Sequence, residues 1–218
     1  LHSKGSIYKV EDDFYFDIAP YLGDLQISLE ESLQIFGERG GDPQRAGKHH
    51  ALDPLVWRKN IPGEPGWQSE FGFGRPGWHI ECSVIALHGS TSTSGPVLDL
   101  QGGGSDLIFP HHFMSKIIAE NIAEREFAAE YVHTGMIGLD GQKMSKSRGN
   151  LVFVHKLLEE NVDPMVIRYA LMKDKYATDR MWSNTLLENA TAEVAEVRMA
   201  LAKMEVADTH GAIERMIQ

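Results

Sequence analysis

The densest chemistry in the sequence is Lys143-Met144-Ser145-Lys146-Ser147 followed by Arg148, three cations and two hydroxyls between Gly141 and Gly149. Such a run can be a solvated surface loop that does no more than keep its charges in water. It can also clamp a polyphosphate. Lys143 and Lys146 would then neutralise charge growing on the phosphates, while Ser145, Ser147 and the backbone amides orient them. The rest of the chain favours the clamp: 21 Lys+Arg stand against 31 Asp+Glu, a net charge of −10, and no other stretch concentrates positive charge. The run is read as having no apolar face.

Two further groups carry potential chemistry. Cys82, the single cysteine, and His111 are a thiol and an imidazole of the kind zinc takes, but 29 positions separate them, and a lone cysteine before Ser-Val-Ile-Ala packs a core equally well. Trp78, His79, Glu81, Asp106 and His112 crowd the same two segments and raise the metal reading. Gly102-Gly103-Gly104-Ser105-Asp106 follows a strand-like VLDLQ, so the glycines either bring backbone close to a ligand or make a tight turn at positive φ. Asp106 could accept from a ribose hydroxyl or an ammonium. The segment matches neither G-x-G-x-x-G nor a Walker loop, so a phosphate role has to come from the lysine run.

The elements that must position these groups follow from periodicity. Alternation at Ile7, Tyr8 and Val10, then at Phe14, Tyr15, Phe16 and Ile18, predicts a hairpin across Glu11-Asp12-Asp13. Leu29, Leu33 and Phe36 have helical spacing up to Gly37. The glycines and prolines from Pro62 to Gly77 predict a shaped loop rather than helix or strand. A helix is expected from His79 to Leu87, a strand at Val97–Gln101, a helix at Lys116–Glu126, a strand at Tyr131–Thr134 and a loop from Gly135 to Asn150. Strand, glycine turn, helix and strand in that order are the grammar of a parallel α/β sheet. Downstream the chain reads as helices, one at Pro164–Met172. Another of about five turns carries Leu187, Ala190, Val194, Val197, Leu201 and Met204, capped by Ser183 or Asn184.

Composition sets the outer bounds. At 218 residues and 42% hydrophobic content the chain makes one or two domains with a real core. One cysteine excludes an intramolecular disulfide framework and suits a reducing, cytoplasmic setting. No stretch has the apolar length of a membrane span, and the acidic balance argues against coating nucleic acid or anionic membrane non-specifically.

KMSKS at Lys143–Ser147 is the second signature of the class I aminoacyl-tRNA synthetases. Taken with GEPGWQSEFGFGRPGWHIECS at Gly63–Ser83, GGGSDLIFPHH at Gly102–His112 and GLDGQKMSKSRGN at Gly138–Asn150, it resembles the cysteine-activating branch of that class. Two groups make up the branch: the cysteinyl-tRNA synthetases, and the mycothiol-pathway ligases that join cysteine to the amine of glucosaminyl-inositol. ERGGDP at Glu38–Pro43, LDPLVWR at Leu52–Arg58, GMIGLDG at Gly135–Gly141, Arg148, and DRMWS at Asp179–Ser183 resemble the ligases more closely.

The resemblance implies an α/β fold, the second half of a Rossmann-like (HUP) domain with a connecting insertion and a C-terminal helical stem. Its expected divisions are 1–66 for the insertion, 67–140 for the nucleotide-binding half, and 141–218 for the KMSKS loop and stem. It implies ATP and L-cysteine as substrates, glucosaminyl-inositol as acceptor, and one zinc ion. Cys82 and His111 match metal ligands, with a further cysteine ligand expected near the HIGH signature that this sequence lacks. Trp78 matches an aromatic wall of the cysteine and adenylate pocket, Gly104, Ser105 and Asp106 the ribose-holding segment, and Ile137 the residue whose backbone meets adenine. Lys143 and Lys146 match the phosphate-stabilising lysines, with Met144, Ser145 and Ser147 between and beside them. Phe113 stands where both groups usually carry an acidic residue, and Ser115 where the synthetases use a carboxylate as a further metal ligand. A monomer or weak dimer, no membrane or transfer RNA partner, and little activity from this polypeptide alone are the remaining expectations.

Overall fold

The computed structural model describes residues 1–91 and 93–203, with the backbone alone at Ser147. The chain divides into two compact units between His133 and Thr134.

The first unit opens with the expected hairpin, β1 (Ile7–Val10) and β2 (Asp13–Phe16), paired antiparallel with Ile7 opposite Phe16. Glu11 turns it at φ 55°. Helix α1 (Leu29–Glu38) starts at Ser28, whose side chain accepts from the Glu31 amide at 3.2 Å, and Glu30 and Glu31 sit favourably at its positive end. After it come β3 (Leu55–Lys59), β4 (Trp67–Ser69) and β5 (Gly72–Pro76). The five strands form one antiparallel sheet in the order β1-β2-β3-β5-β4, drawn from both sides of position 66.

The expected loop from Pro62 to Gly77 is thus partly a hairpin. Gly72, at φ +97°, supplies its turn, and Gly74 lies where a Cβ would run into the Arg58 carbonyl of β3. These glycines serve close strand packing and conceal the alternation by which strands are recognised.

Helix α2 (Trp78–Gly89) follows without a break, then β6 (Leu98–Gly104), α3 (Phe113–Ala123) and β7 (Ala128–Thr134), with β6 and β7 forming a two-stranded sheet. Phe16, Ile18, Phe36 and Leu52 pack with Ile80 of α2 and with Met114, Ile117 and Ile118 of α3 in one buried cluster. Each such side chain removed from water contributes about 2 kcal/mol. Burial of the Asp53 carboxylate is compensated locally. Asp53, fully buried, accepts from the Ile18 amide at 3.0 Å, the His50 amide at 2.7 Å and the Tyr8 hydroxyl. Burial first, and then the Asp53 hydrogen bond, push the Tyr8 phenol well above its ordinary value, so the phenol stays a donor.

In the second unit β8 (Ile137–Leu139) and β9 (Gln142–Lys143) form a short hairpin. Two helices follow, α4 (Val154–Glu159) and α5 (Pro164–Met172), then β10 (Arg180–Trp182), parallel to β8, and α6 (Asn184–Leu201). The loop expected from Gly135 to Asn150 therefore contains two strands. Asp140 and Gly141, at φ 51° and 75°, make the turn between them, an Asp-Gly pair of the type that favours tight hairpins. Asp163 caps α5 through the Met165 amide, and Ser183 caps α6 through the Leu186 amide, as expected for the second. Val166, Ile167, Ala170, Trp182, Ala190 and Val194 form this unit's core. Met204, placed on the α6 stripe by its spacing, lies outside the described residues. No described helix is long and apolar enough to cross a membrane.

Asp53→Ala leaves three buried donors without an acceptor and is expected to cost about 3 kcal/mol, read from the urea midpoint. A loss under about 1 kcal/mol would mean that water replaces the carboxylate.

Candidate active site

In the first unit the candidate residues gather at the start of α2 and the segment entering α3. The Gly77 amide donates to the Val56 carbonyl at 2.8 Å, and a Cβ at Gly77 would overlap the Leu55 carbonyl oxygen. Helix α2 therefore begins hard against β3, which fixes Trp78 and His79. From the other side, Phe109 is extended (φ −133°, ψ 139°) inside the otherwise helical run Ile108–His112. The Arg39 guanidinium donates to its carbonyl. That break turns His111 towards α2.

Trp78 stacks on His111 with ring centroids 4.2 Å apart at 20°, and the Nδ1 atoms of His79 and His111 lie 3.1 Å apart. One Nδ1 must donate and the other accept, which requires the accepting ring to be neutral. Burial, aided by the neighbouring His111, drives the His79 pKa down to about 3, and burial lowers that of His111 as well. In the tautomer in which His111 donates, its Nε2 keeps a bare lone pair. Cys82 is half-buried and one turn beyond Trp78 and His79 on the same helix face. Burial, then the Glu81 charge, raise its thiol pKa. A neutral imidazole and a thiol fit zinc by donor type. Among the described residues, however, no group of three or more His, Cys, Asp or Glu could hold a metal, so Cys82 and His111 are at most part of a ligand set.

A second imidazole chain runs beside this one. The Nδ1 of His112 is 2.7 Å from Nε2 of His133, and its Nε2 is 3.1 Å from the amide nitrogen of Gln101. Gln101 donating to His112, and His112 to His133, satisfies all three. Burial, then His133 and His111, hold His112 down to about 4. The glycine run makes room for this ring: a Cβ on Gly103 would lie 2.7 Å from His112 Cε1. None of Gly102, Gly103 and Gly104 has positive φ, which removes the tight-turn alternative. Instead they end β6, and Ser105 and Asp106 follow half-buried in a short 3-10 turn. Gln101 and His133 escaped the sequence analysis, because pairing of β6 with β7, which no local signal specifies, brings them together.

The two departures have structural roles. The Ser115 hydroxyl, buried, donates to the His79 carbonyl at 3.3 Å, and Ser83 donates to the carbonyls of His79 and Ser115 at 2.9 Å, tying α2 to α3. Phe113 packs against Phe109 and the core.

The second unit holds the lysine run. Lys143 ends β9, and Lys146–Arg148 form a 3-10 turn closed by Gly149 at φ 66°. Asn150 braces it, accepting from the Ser145 amide at 2.9 Å and donating to the Lys143 carbonyl at 3.2 Å. Lys143, Lys146 and Arg148 are exposed, and Arg148 donates to Gln142 at 3.0 Å. The expectation of no apolar face is corrected at Met144, which packs against the core of this unit and anchors the run. Ile137, half-buried in β8, lies opposite Arg180. The side chain of Ser147 lies outside the described residues.

A family model described as the tRNA synthetases class I (C) catalytic domain matches residues 1–192. The L-cysteine:1D-myo-inositol 2-amino-2-deoxy-alpha-D-glucopyranoside ligase of Mycolicibacterium smegmatis is 50% identical over 226 residues, covering 100% of this chain and 54% of that protein. Its namesake from Salinispora tropica is 52% identical over 210 residues, covering 93% and 51%. That of Nakamurella multipartita is 51% identical over 214 residues, covering 94% and 52%. The chain thus spans about half the length of these curated relatives. Among solved structures, the ternary LeuRS–tRNA–LeuAMS complex of Agrobacterium radiobacter K84 matches 68% of this chain and 24% of its own, at 18% identity and a TM-score of 0.47.

Gly103→Ala is expected to displace the His112 ring and destabilise the fold by about 1–3 kcal/mol, the range for overpacking. A melting temperature equal to that of the unsubstituted chain would show that Gly103 does not confine the ring.

Proposed function

The chain belongs to the class I (C) tRNA synthetase catalytic-domain family, and on that premise we propose that it is part of an ATP-dependent ligase. The ligase activates L-cysteine as cysteinyl-adenylate and transfers it to the amine of glucosaminyl-inositol. What carries this reading is that relatives about half identical to the chain bear the name of that ligase. The ERGGDP and LDPLVWR words give the same preference over a cysteinyl-tRNA synthetase.

In the first step the cysteine carboxylate attacks the α-phosphorus of ATP, the bond to the bridging oxygen breaks, and pyrophosphate leaves. No protein nucleophile is needed, so catalysis is positioning and charge stabilisation. Lys143 and Lys146 neutralise the charge that develops on the phosphates. Ser145, Ser147 and nearby amides orient them, and Met144 keeps the run seated. Gly104, Ser105 and Asp106 hold the ribose, the Ile137 backbone meets adenine, and Trp78 walls the adenylate. Cys82 and His111, with further donors, would hold zinc, which supplies a thiol-selective Lewis acid that prefers cysteine to serine. In the second step the acceptor's uncharged amine attacks the cysteinyl carbonyl, AMP leaves with the bonding pair, and the amine loses a proton as the amide forms. The division into an insertion (1–66), a nucleotide-binding half (67–140) and a KMSKS loop with stem (141–218) is part of this proposal.

The full-length protein, given cysteine and ATP with either glucosaminyl-inositol or transfer RNA, is expected to form the amide with the amino sugar and leave transfer RNA uncharged. Charging of transfer RNA alone overturns the ligase reading. In the same protein Lys146→Ala is expected to slow cysteine-dependent pyrophosphate exchange about a hundredfold with little change in the KM for cysteine. An equal loss in cysteine affinity would make the lysine a structural residue.

A further inference from the structure

Two of the words that resemble the ligases more closely than the transfer RNA branch, Glu38–Pro43 and Leu52–Arg58, have no part in the chemistry described so far. They meet at a cavity of about 220 Å³ lined by Arg39, Asp42, Arg58, Arg75, Trp78 and His79 among others. Arg39 and Asp42 come from the turn after α1, Arg58 from β3, Arg75 from β5, and Trp78 and His79 from the start of α2. We propose that this cavity is the subsite for the uncharged cyclitol ring of the amine acceptor, an inference that rests on the ligase reading above.

Size, chemistry and charge support the assignment. Whole small-molecule sites usually begin at about 300 Å³, so this cavity suits one ring of a two-ring acceptor. Guanidinium groups donate to hydroxyl oxygens, a carboxylate accepts from hydroxyls, and an aromatic face covers the C–H side of a ring, which together recognise a polyol. Asp42 and Arg39 are already held in place. Asp42 accepts from the Tyr15 hydroxyl at 2.6 Å and from the Lys48 ammonium at 3.0 Å, and Arg39 is held by the Phe109 carbonyl. Glu64 forms ion pairs with both remaining arginines, 3.8 Å from Arg58 and 3.0 Å from Arg75.

Charge then decides which ring enters. Three arginines and Lys48 against Asp42 and Glu64 leave a cationic surround that repels an aminosugar's ammonium and tolerates a neutral cyclitol. Trp78 and His79 belong both to this cavity and to the contact with His111, so a ring bound here lies beside the place proposed for activated cysteine.

The test uses the full-length protein and two acceptors with the same amine: glucosaminyl-inositol, and methyl α-glucosaminide, which has no cyclitol. Arg58→Gln and Arg75→Gln, made separately, are expected to raise the KM for glucosaminyl-inositol about tenfold, the worth of one charged hydrogen bond, at unchanged kcat. The KM for methyl α-glucosaminide should not move. A KM for glucosaminyl-inositol within twofold of wild type in both variants overturns the inference. So does an equal rise for both acceptors, or a parallel loss of cysteine-dependent pyrophosphate exchange, which would mark the arginines as structural. Failure of the ligase reading itself is visible earlier, as wild-type protein that transfers cysteine to neither sugar.

Discussion

Helix α2 can begin at Trp78 only because position 77 has no side chain. With the Gly77 amide on the Val56 carbonyl and its Cα pressed against Leu55, the first helical turn is locked to the centre of the antiparallel sheet. The candidate residues carried by α2 are referred to that contact. Trp78 faces His111, His79 meets the same ring, and Cys82 follows a turn later. The sheet that bears the load is stabilised in turn by its own buried polar centre, Asp53, whose three donors come from the first strand, the segment after the second and the segment before the third.

The second constraint is that imidazoles removed from water stay neutral. A cluster of four histidines, His79, His111, His112 and His133, would repel itself if protonated. For His79, His111 and His112 burial instead favours the uncharged form, in which each of those rings can donate and accept. The absence of a side chain at Gly103 lets His112 approach β6. The lysine run in the second unit follows the opposite logic: its charges remain in water, and a single half-buried methionine and an asparagine keep it in shape.

Much of this was legible beforehand. Helix α6 and its serine cap, the helix at Pro164–Met172 and the first hairpin all announce themselves through local periodicity and capping, which depend on neighbours in sequence. The strands at Gly72–Pro76 and Ile137–Lys143 did not, since glycines required for close backbone approach replace the alternating side chains; the Asp140-Gly141 pair was the available signal for the second. The candidate site was legible as a list of residue types, because Trp78, Cys82, Asp106, His111 and the KMSKS run sit in recognisable words. Its hydrogen-bonding logic was not. Gln101 and His133 enter through strand pairing, and the Arg39 contact to Phe109 spans 70 positions.

The central claim is that a helix start fixed by Gly77 holds a neutral imidazole pair, His79 and His111, beneath Trp78 as the ligand-ready part of the site. Nitrogen-15 NMR of the histidine side chains in metal-stripped full-length protein tests it most directly. The account predicts that the His79 ring remains neutral as the pH is lowered from 7 to about 5, and that His111 titrates below its ordinary value. Titration of either ring near its ordinary value of about 6.5 would contradict it.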